Sequence, residues 1–112
     1  MLSTELKNTT EEWLREHEGT IEFFDKFLPV DYIPEDVEDP QEWAQNHGDE
    51  HDGTVAFLLR SIESGTGETG VALVLRKGHS WEGVRTWVEG IFNSEGDALV
   101  KVEEMGFRVW SG

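Results

Sequence analysis

The pattern of apolar residues in the second half of the chain predicts a β-hairpin at the centre of a sheet. Val71–Leu75 is an uninterrupted run of five apolar residues, which is typical of a strand buried on both faces. The preceding segment, Thr54–Glu63, allows two interpretations. A helical spacing relates its apolar residues Val55, Leu58, Leu59 and Ile62. A strand here would instead pair with Val71–Leu75 across a glycine-rich turn, and we favour the strand because a short loop usually joins neighbouring strands.

Beyond this hairpin, the pattern predicts two helices and a closing strand. Ser80 is a suitable N-cap for a helix over Ser80–Phe92 with one apolar stripe. A second helix over Glu95–Met105 is expected to end at Gly106, and Phe107–Trp110 is expected to form a strand. The predicted core of this half contains Val74, Leu75, Val88, Ile91 and Val109.

The first half of the chain predicts helices and then an irregular arm. Thr9 and Glu12 match a capping box, which predicts a helix start. A second amphipathic stretch is expected to end at Pro29. Its apolar residues are Ile21, Phe24, Phe27 and Leu28. Residues 30–53 contain two further prolines and predict an ordered arm anchored by Tyr32, Ile33, Val37 and Trp43.

These elements together predict a single α+β domain. N-terminal helices and the arm would pack on a small sheet of about three strands, with one or two C-terminal helices. The chain has 112 residues, and its 37% of hydrophobic residues suffice for one core. No apolar run approaches the ~20 residues that span a bilayer, so we expect neither a membrane anchor nor a signal peptide. Cysteine is absent, which favours a cytoplasmic protein without disulfides.

Charge changes this picture, because it is strongly negative and unevenly distributed. The chain has 24 acidic and 9 basic residues, a net charge of −15. Residues 1–52 carry a net charge of −13 and residues 53–112 only −2. Such a chain is not expected to bind nucleic acid directly, because phosphates attract clustered lysine and arginine. The expected partner is a basic protein, plausibly one that itself binds nucleic acid.

Two acidic segments are the candidate binding residues. The first comprises Glu11, Glu12, Glu16, Glu18, Glu22 and Asp25. In one continuous helix these six carboxylates would be spaced by ~3.7 Å on average, close to the ~3.4 Å between phosphates of a DNA strand. The second segment comprises Asp31, Tyr32, Glu35, Asp36, Glu38, Asp39 and Trp43, where the two aromatic rings could anchor a partner.

The charge pattern therefore predicts a binding module, an inhibitor that imitates nucleic acid, with no catalytic activity and no cofactor. In composition alone, the chain resembles the inhibitors made by phages and mobile elements and the immunity proteins paired with toxins. That resemblance implies the same inhibitory function. A salt-adapted protein, whose acidic residues serve only solvation, is an alternative.

Two literal motifs suggest other chemistry. Gly65–Gly70 matches the GxGxxG string of dinucleotide-binding proteins, but it precedes a predicted strand, so we interpret it as a hairpin turn. His47–His51 matches the HxxEH pattern of some zinc peptidases, although glycine at position 48 disfavours the required helix. A metal site, in a metal-binding protein or a metal-dependent hydrolase, is the alternative to a solvated loop here. Its candidate ligands are His47, Asp49, His51 and Asp52.

Overall fold

The computed structural model describes residues 4–17, 24–63, 67, 69–78 and 85–109, which form one α+β domain. Its helices are α1 (Thr4–His17), α2 (Pro40–His47) and α3 (Glu95–Glu104), and a 3-10 turn covers Gly48–Glu50. Its strands are β1 (Asp25–Phe27), β2 (Thr54–Glu63), β3 (Thr69–Lys77) and β4 (Arg85–Phe92). None of the described helices combines the length and the apolarity needed to cross a bilayer.

The strands form an antiparallel sheet in the order β1-β2-β3-β4. The predicted strand Val71–Leu75 lies inside β3, between β2 and β4, so its central position is confirmed. β2 pairs with β3, with Phe57 opposite Val74, which confirms the hairpin and shows that the helical interpretation of 54–63 is wrong. The sheet has four strands rather than about three. Its inner strands β2 and β3 were predicted, its edge strands β1 and β4 were not, and the predicted strand over 107–110 is not one of the four.

Both faces of the sheet are buried, which explains why β2 and β3 lack a polar face. The first face packs against α1 and α2. Its buried residues are Leu14, Leu28, Ile33, Ala44, Val55, Phe57, Leu59, Ala72, Val74 and Val88. The second face packs against α3. Its buried residues are Phe27, Ala56, Leu58, Val71, Leu73, Leu75, Ala98, Val102 and Phe107.

The predicted core residues all contribute to these two clusters, to different extents. Val74, Leu75 and Val88 are buried, as predicted. Ile91 is only partly buried against the first cluster, and Val109 is partly buried against the second. The strand β4 and the C-terminal segment therefore lie at the margin of the core.

The predicted helix Ser80–Phe92 is wrong in its described part, because Arg85–Phe92 is the strand β4. A β-bulge explains the error. In the β3–β4 register Gly90 lies opposite Leu73 and Val88 opposite Val74, so Glu89 is an extra residue. The extra residue shifts the side-chain alternation, and Ile91 faces the same cluster as Val88. This shifted alternation produces the apolar spacing of three that resembles a helix.

The predicted helical stretch ending at Pro29 is also wrong in its described part. Asp25–Phe27 is the edge strand β1, paired with Leu58, Phe57 and Ala56 of β2. The consecutive residues Phe27 and Leu28 lie in opposite clusters, as expected of an extended chain and not of a helix. Ile21 lies outside the described residues.

Among the described residues helix α1 begins at Thr4, so the capping box at Thr9 and Glu12 does not mark its start. Leu6 is fully buried and holds the first turn against the sheet. The Thr10 hydroxyl donates to the Leu6 carbonyl oxygen at 2.8 Å, as a residue inside a helix does. Tertiary packing of Leu6 thus extends the helix beyond the sequence signal.

Helix α3 confirms the prediction for Glu95–Met105 to within one residue. Ser94 is its N-cap, with the hydroxyl accepting from the Asp97 amide at 3.2 Å. The helix ends at Glu104, and Gly106 follows with φ +92°, a conformation that favours glycine. The predicted strand over 107–110 is reduced, in its described part, to an antiparallel bridge between Phe107 and Pro29. The Val30 amide donates to the Gly106 carbonyl oxygen, and the Arg108 amide donates to the Leu28 carbonyl oxygen, on either side of this bridge. Trp110 lies outside the described residues.

Candidate protein-binding surface

The first acidic segment does not form the continuous helix that the phosphate-like spacing required. Glu11, Glu12 and Glu16 belong to α1, which ends at His17 among the described residues, and Asp25 lies in β1. Glu18 and Glu22 lie outside the described residues. Glu12 and Glu16 are exposed, whereas Glu11 is partly buried in a groove between α1 and β4. Only part of the predicted carboxylate row is therefore displayed on one element.

Asp25 takes part in an ion-pair network within the fold. Arg60 of β2 forms ion pairs with both Asp25 and Glu95, the latter at 2.6 Å. The hydrogen bond from Arg60 lowers the pKa of Glu95, and the bond to Glu95 is the largest cause that raises the pKa of Arg60. The network joins β1, β2 and the first turn of α3. Asp25 thus has a partner inside the molecule.

The second acidic segment forms an extended surface, which we call the acidic arm (residues 30–52). It has nine acidic residues and no lysine or arginine. Six of its carboxylates are exposed and form no ion pair with a described residue. Four of them precede α2, namely Asp31, Glu35, Asp36 and Glu38, and the other two are Glu42 and Glu50. Asp39 differs from them, because its carboxylate caps α2 by accepting from the Glu42 amide at 3.1 Å.

The acidic arm is fixed to the domain at several points. Ile33, Pro40 and Ala44 are buried, the last two on the inner side of α2. The Val30 amide donates to the Gly106 carbonyl oxygen at 3.0 Å, and the Arg108 guanidinium donates to the Pro34 carbonyl oxygen at 3.2 Å. The prediction of an ordered, irregular arm is confirmed. Its exposed acids are consequently held on a fixed backbone.

Four rings form a continuous cluster on the acidic arm. Tyr32 lies edge to face against Trp43 at 5.6 Å between centroids and contacts the His51 ring at 4.3 Å. Trp43 stacks on His47 at 4.2 Å. Tyr32 is 37% exposed, so one side of this ring cluster meets solvent, and Asp31 and Glu35, which flank Tyr32 in the sequence, are exposed as well. The structure therefore brings the predicted anchors Tyr32 and Trp43 into contact and adds both histidines.

The contacts of His47, and those of His17 at the end of α1, follow from a spacing that the sequence analysis missed. His47 lies four residues after Trp43, and its Nδ1 donates to the Trp43 carbonyl oxygen at 2.9 Å. His17 makes the same pair of contacts with Trp13, by stacking at 4.6 Å and by donating to its carbonyl oxygen at 2.9 Å. Residues four apart meet on a helix. The Trp-x-x-x-His spacing was thus a readable signal for a ring pair at each helix end.

Helix α1, with Glu12 and Glu16 of the first acidic segment, and the acidic arm lie over opposite edges of the sheet, whereas Asp25 lies in β1 on the side of the arm. α1 packs mainly against β4, whereas α2 of the acidic arm packs against β1. These strands are the first and last in the sheet order. The structure therefore does not bring Glu12 and Glu16 together with the acids of the arm, and the predicted binding residues divide into two surfaces.

The HxxEH and GxGxxG strings do not have the backbone structure that their functions in zinc peptidases and dinucleotide-binding proteins require. Helix α2 ends at His47 and a 3-10 turn follows, so His47 and His51 do not lie on one helix. In the described ranges, no group of three histidine or acidic side chains could hold a metal ion. Gly70 lies in β3 and opens no helix, which leaves the GxGxxG string between two strands.

Comparison with known proteins gives no match to a family model, to a curated protein or to a solved structure. The functional argument therefore starts from the chain's own surface. Its most distinctive feature is the half-exposed Tyr32 within a run of exposed carboxylates.

Proposed function

We propose that this chain is a non-enzymatic binding protein whose acidic arm docks on a basic surface of another protein. The observation that carries the proposal is the position of Tyr32. Its ring packs on Trp43 and His51 yet remains 37% exposed, and the nearby residues Asp31 and Glu35 of the chain are exposed too. A rigid aromatic ring surrounded by polar groups is the usual composition of a binding hot spot.

The charge of the acidic arm supplies the second part of the argument. Nine acids without a compensating lysine or arginine produce a strongly negative local potential. This potential would accelerate encounter with a basic partner, and the acceleration would fade as salt is added. Because the arm is anchored by Ile33 and Ala44, docking would order little additional backbone and lose little entropy.

A nucleic-acid-binding protein is the partner class that fits this surface. Such proteins carry clusters of lysine and arginine that bind phosphates. The row of carboxylates at positions 31, 35, 36 and 38 would occupy that cluster in place of phosphates. The chain would then act as an inhibitor, by competing with the nucleic acid for one basic surface.

The experiment compares two variants that remove the same charge from different places. Glu35→Gln/Glu38→Gln neutralises the acidic arm, and Glu103→Gln/Glu104→Gln neutralises exposed acids of α3. Each variant and the unmodified chain are used to capture partners from a lysate of the native host at low and at raised salt. We expect one basic protein that is retained by the unmodified chain and by the α3 variant at low salt. It should be lost with the arm variant and with added salt.

Two further measurements separate the alternatives. Tyr32→Ala should weaken capture without changing net charge, and added duplex DNA should displace the chain from a nucleic-acid-binding partner. Glu12→Gln/Glu16→Gln tests the surface on α1. A partner that binds the arm variant and Tyr32→Ala as strongly as it binds the unmodified chain would show that the acidic arm serves solvation only.

A further inference from the structure

Strand β4 lies at one edge of the sheet. It pairs with β3 on one side, and in the described ranges no strand pairs with its other side. An edge strand offers backbone N–H and C=O groups that can pair with a strand of another molecule. β4 has eight residues, whereas the opposite edge strand, β1, has three. The β4 edge is therefore the longer of the two edges for adding a strand.

Three side chains along β4 form a row with a positive, an aromatic and a negative member. The Arg85 guanidinium lies 5.8 Å from the centroid of the Trp87 ring. Trp87 Nε1 donates to Glu89 Oε2 at 2.9 Å. Arg85 and Glu89 are exposed, and Trp87 is partly buried against the second cluster. Reversing the direction of this row exchanges its charges, so the row is complementary to an antiparallel copy of itself.

We propose that two copies of this chain pair through β4, antiparallel, about a two-fold axis beside Trp87. In this arrangement Arg85 of each copy lies opposite Glu89 of the other copy. Directly opposed residues of antiparallel strands have Cβ atoms about 4.5–5.5 Å apart, which allows an ion pair. A two-fold interface uses one patch on both subunits, and here it repeats the Arg85–Glu89 pair at each end. The two sheets become one continuous sheet.

The β-bulge sets the length of this pairing. Glu89 is the extra residue, and the side-chain alternation of β4 changes phase after it. Regular pairing with a second copy therefore extends over residues 85–89 and ends at the bulge. The two-fold pairing uses the β4 edge of both copies, so the assembly ends at a pair.

The charges near the β4 edge reduce the repulsion between two acidic chains. Lys77 lies opposite Arg85 in the β3–β4 register. Lys7 and Arg15 line the groove of about 420 Å³ between α1 and β4, together with Glu11. The acidic arm lies toward β1, at the opposite edge of the sheet. The exposed Glu12 and Glu16 of α1 also lie toward this edge and offset part of that positive charge. Pairing through β4 still keeps the two acidic arms apart.

The test is the mass of the full chain in solution, measured by sedimentation over a concentration series. We expect the unmodified chain to reach twice the mass of one chain. Arg85→Glu and Glu89→Arg each place like charges opposite each other at both ends, so each should weaken the dimer about tenfold. The double exchange Arg85→Glu/Glu89→Arg restores opposite charges and should restore the dimer.

Matched controls on α3 carry the same changes of charge away from the edge. Lys101→Glu and Glu103→Arg should leave the dimer unchanged, and circular dichroism shows whether each variant is folded. If Glu89→Arg does not fold because Trp87 loses its hydrogen bond, Arg85→Glu alone tests the pairing. A chain that stays monomeric, or a dimer that is indifferent to Arg85→Glu, overturns the proposal. So does a folded double variant that remains monomeric.

Discussion

The segments that cover the two faces of the sheet use their acidic residues differently. On the first face, the acidic arm is held by apolar residues, and Asp31, Glu35, Asp36 and Glu38 form no ion pair with a described residue. On the second face, α3 begins with Glu95, whose carboxylate pairs with Arg60, and the same guanidinium pairs with Asp25. Glu95 and Asp25 thus support the fold, whereas the four acids of the arm are exposed to solvent. Asp39, which caps α2, is an acid of the arm that also supports the fold. The position of a carboxylate therefore says more about its role than the net charge does.

The largest expected loss of stability comes from truncating a buried side chain on one face of the sheet at a time. Phe57 and Leu58 are consecutive in β2 and fully buried, but Phe57 lies in the first cluster and Leu58 in the second. We expect Phe57→Ala to lower the free energy of unfolding by about 3–5 kcal/mol and Leu58→Ala by about 2–5 kcal/mol, because each leaves a cavity. Denaturant unfolding measures both values.

Hydrogen exchange of the backbone amides in the same two variants shows which of the covering helices, α2 or α3, becomes less protected. Phe57→Ala should accelerate exchange in α2, and Leu58→Ala should accelerate exchange in α3. Equal acceleration in both helices would contradict the separation of the two faces, since it would mean that the covers open together.

A smaller loss of stability is expected when the N-cap of either covering helix is removed. Asp39 caps α2 and Ser94 caps α3, each by accepting from the third residue after it. Asp39→Ala and Ser94→Ala should each cost about 1 kcal/mol of unfolding free energy. Asp39→Asn is the control, because asparagine retains the cap and removes the charge. A loss in Asp39→Asn as large as that in Asp39→Ala would show that the charge matters more than the cap.

The smallest expected effect concerns pH. Arg60 lowers the pKa of Glu95 in the folded chain, so this carboxylate stabilises the fold above its ordinary pKa. The contribution is lost as the pH falls through the lowered pKa, where Glu95 becomes protonated. Both side chains are more than a third exposed, so we expect a few tenths of a kcal/mol. Unfolding curves of Glu95→Gln should lack this acidic loss, whereas Glu103→Gln should retain it.

The inner strands of the sheet could be predicted from the sequence, and the edge strands could not. β3 and β2 are buried on both faces, so their apolar runs are unbroken. β1 has only three residues, which is too short to show a period, and β4 contains a bulge that imitates helical spacing. Helix α3 could be predicted because Ser94 and Gly106 are local signals at its two ends.

The candidate surface was predictable in part, where its features depend on residues that are close in the chain. Exposed acids next to Tyr32 and Trp43 follow from composition and order along the chain, and the contact of Trp43 with His47 follows from their spacing on a helix. The ion pairs of Arg60 with Asp25 and with Glu95 each join residues 35 positions apart in the chain. Only the folded sheet identifies Asp25 as a structural residue.

The extra residue in β4 also makes one position of this chain tolerant of a change in length. Replacing Glu89 by another residue leaves the number of residues between Val88 and Ile91 unchanged, and both still face α1 and α2. Deleting it would restore strict alternation over Val88, Gly90 and Ile91, so Ile91 would still face α1 and α2. Deleting a residue inside β3, which has no extra residue, would instead turn every following side chain of that strand to the other face. Related chains should therefore differ in length at position 89 more readily than inside β3.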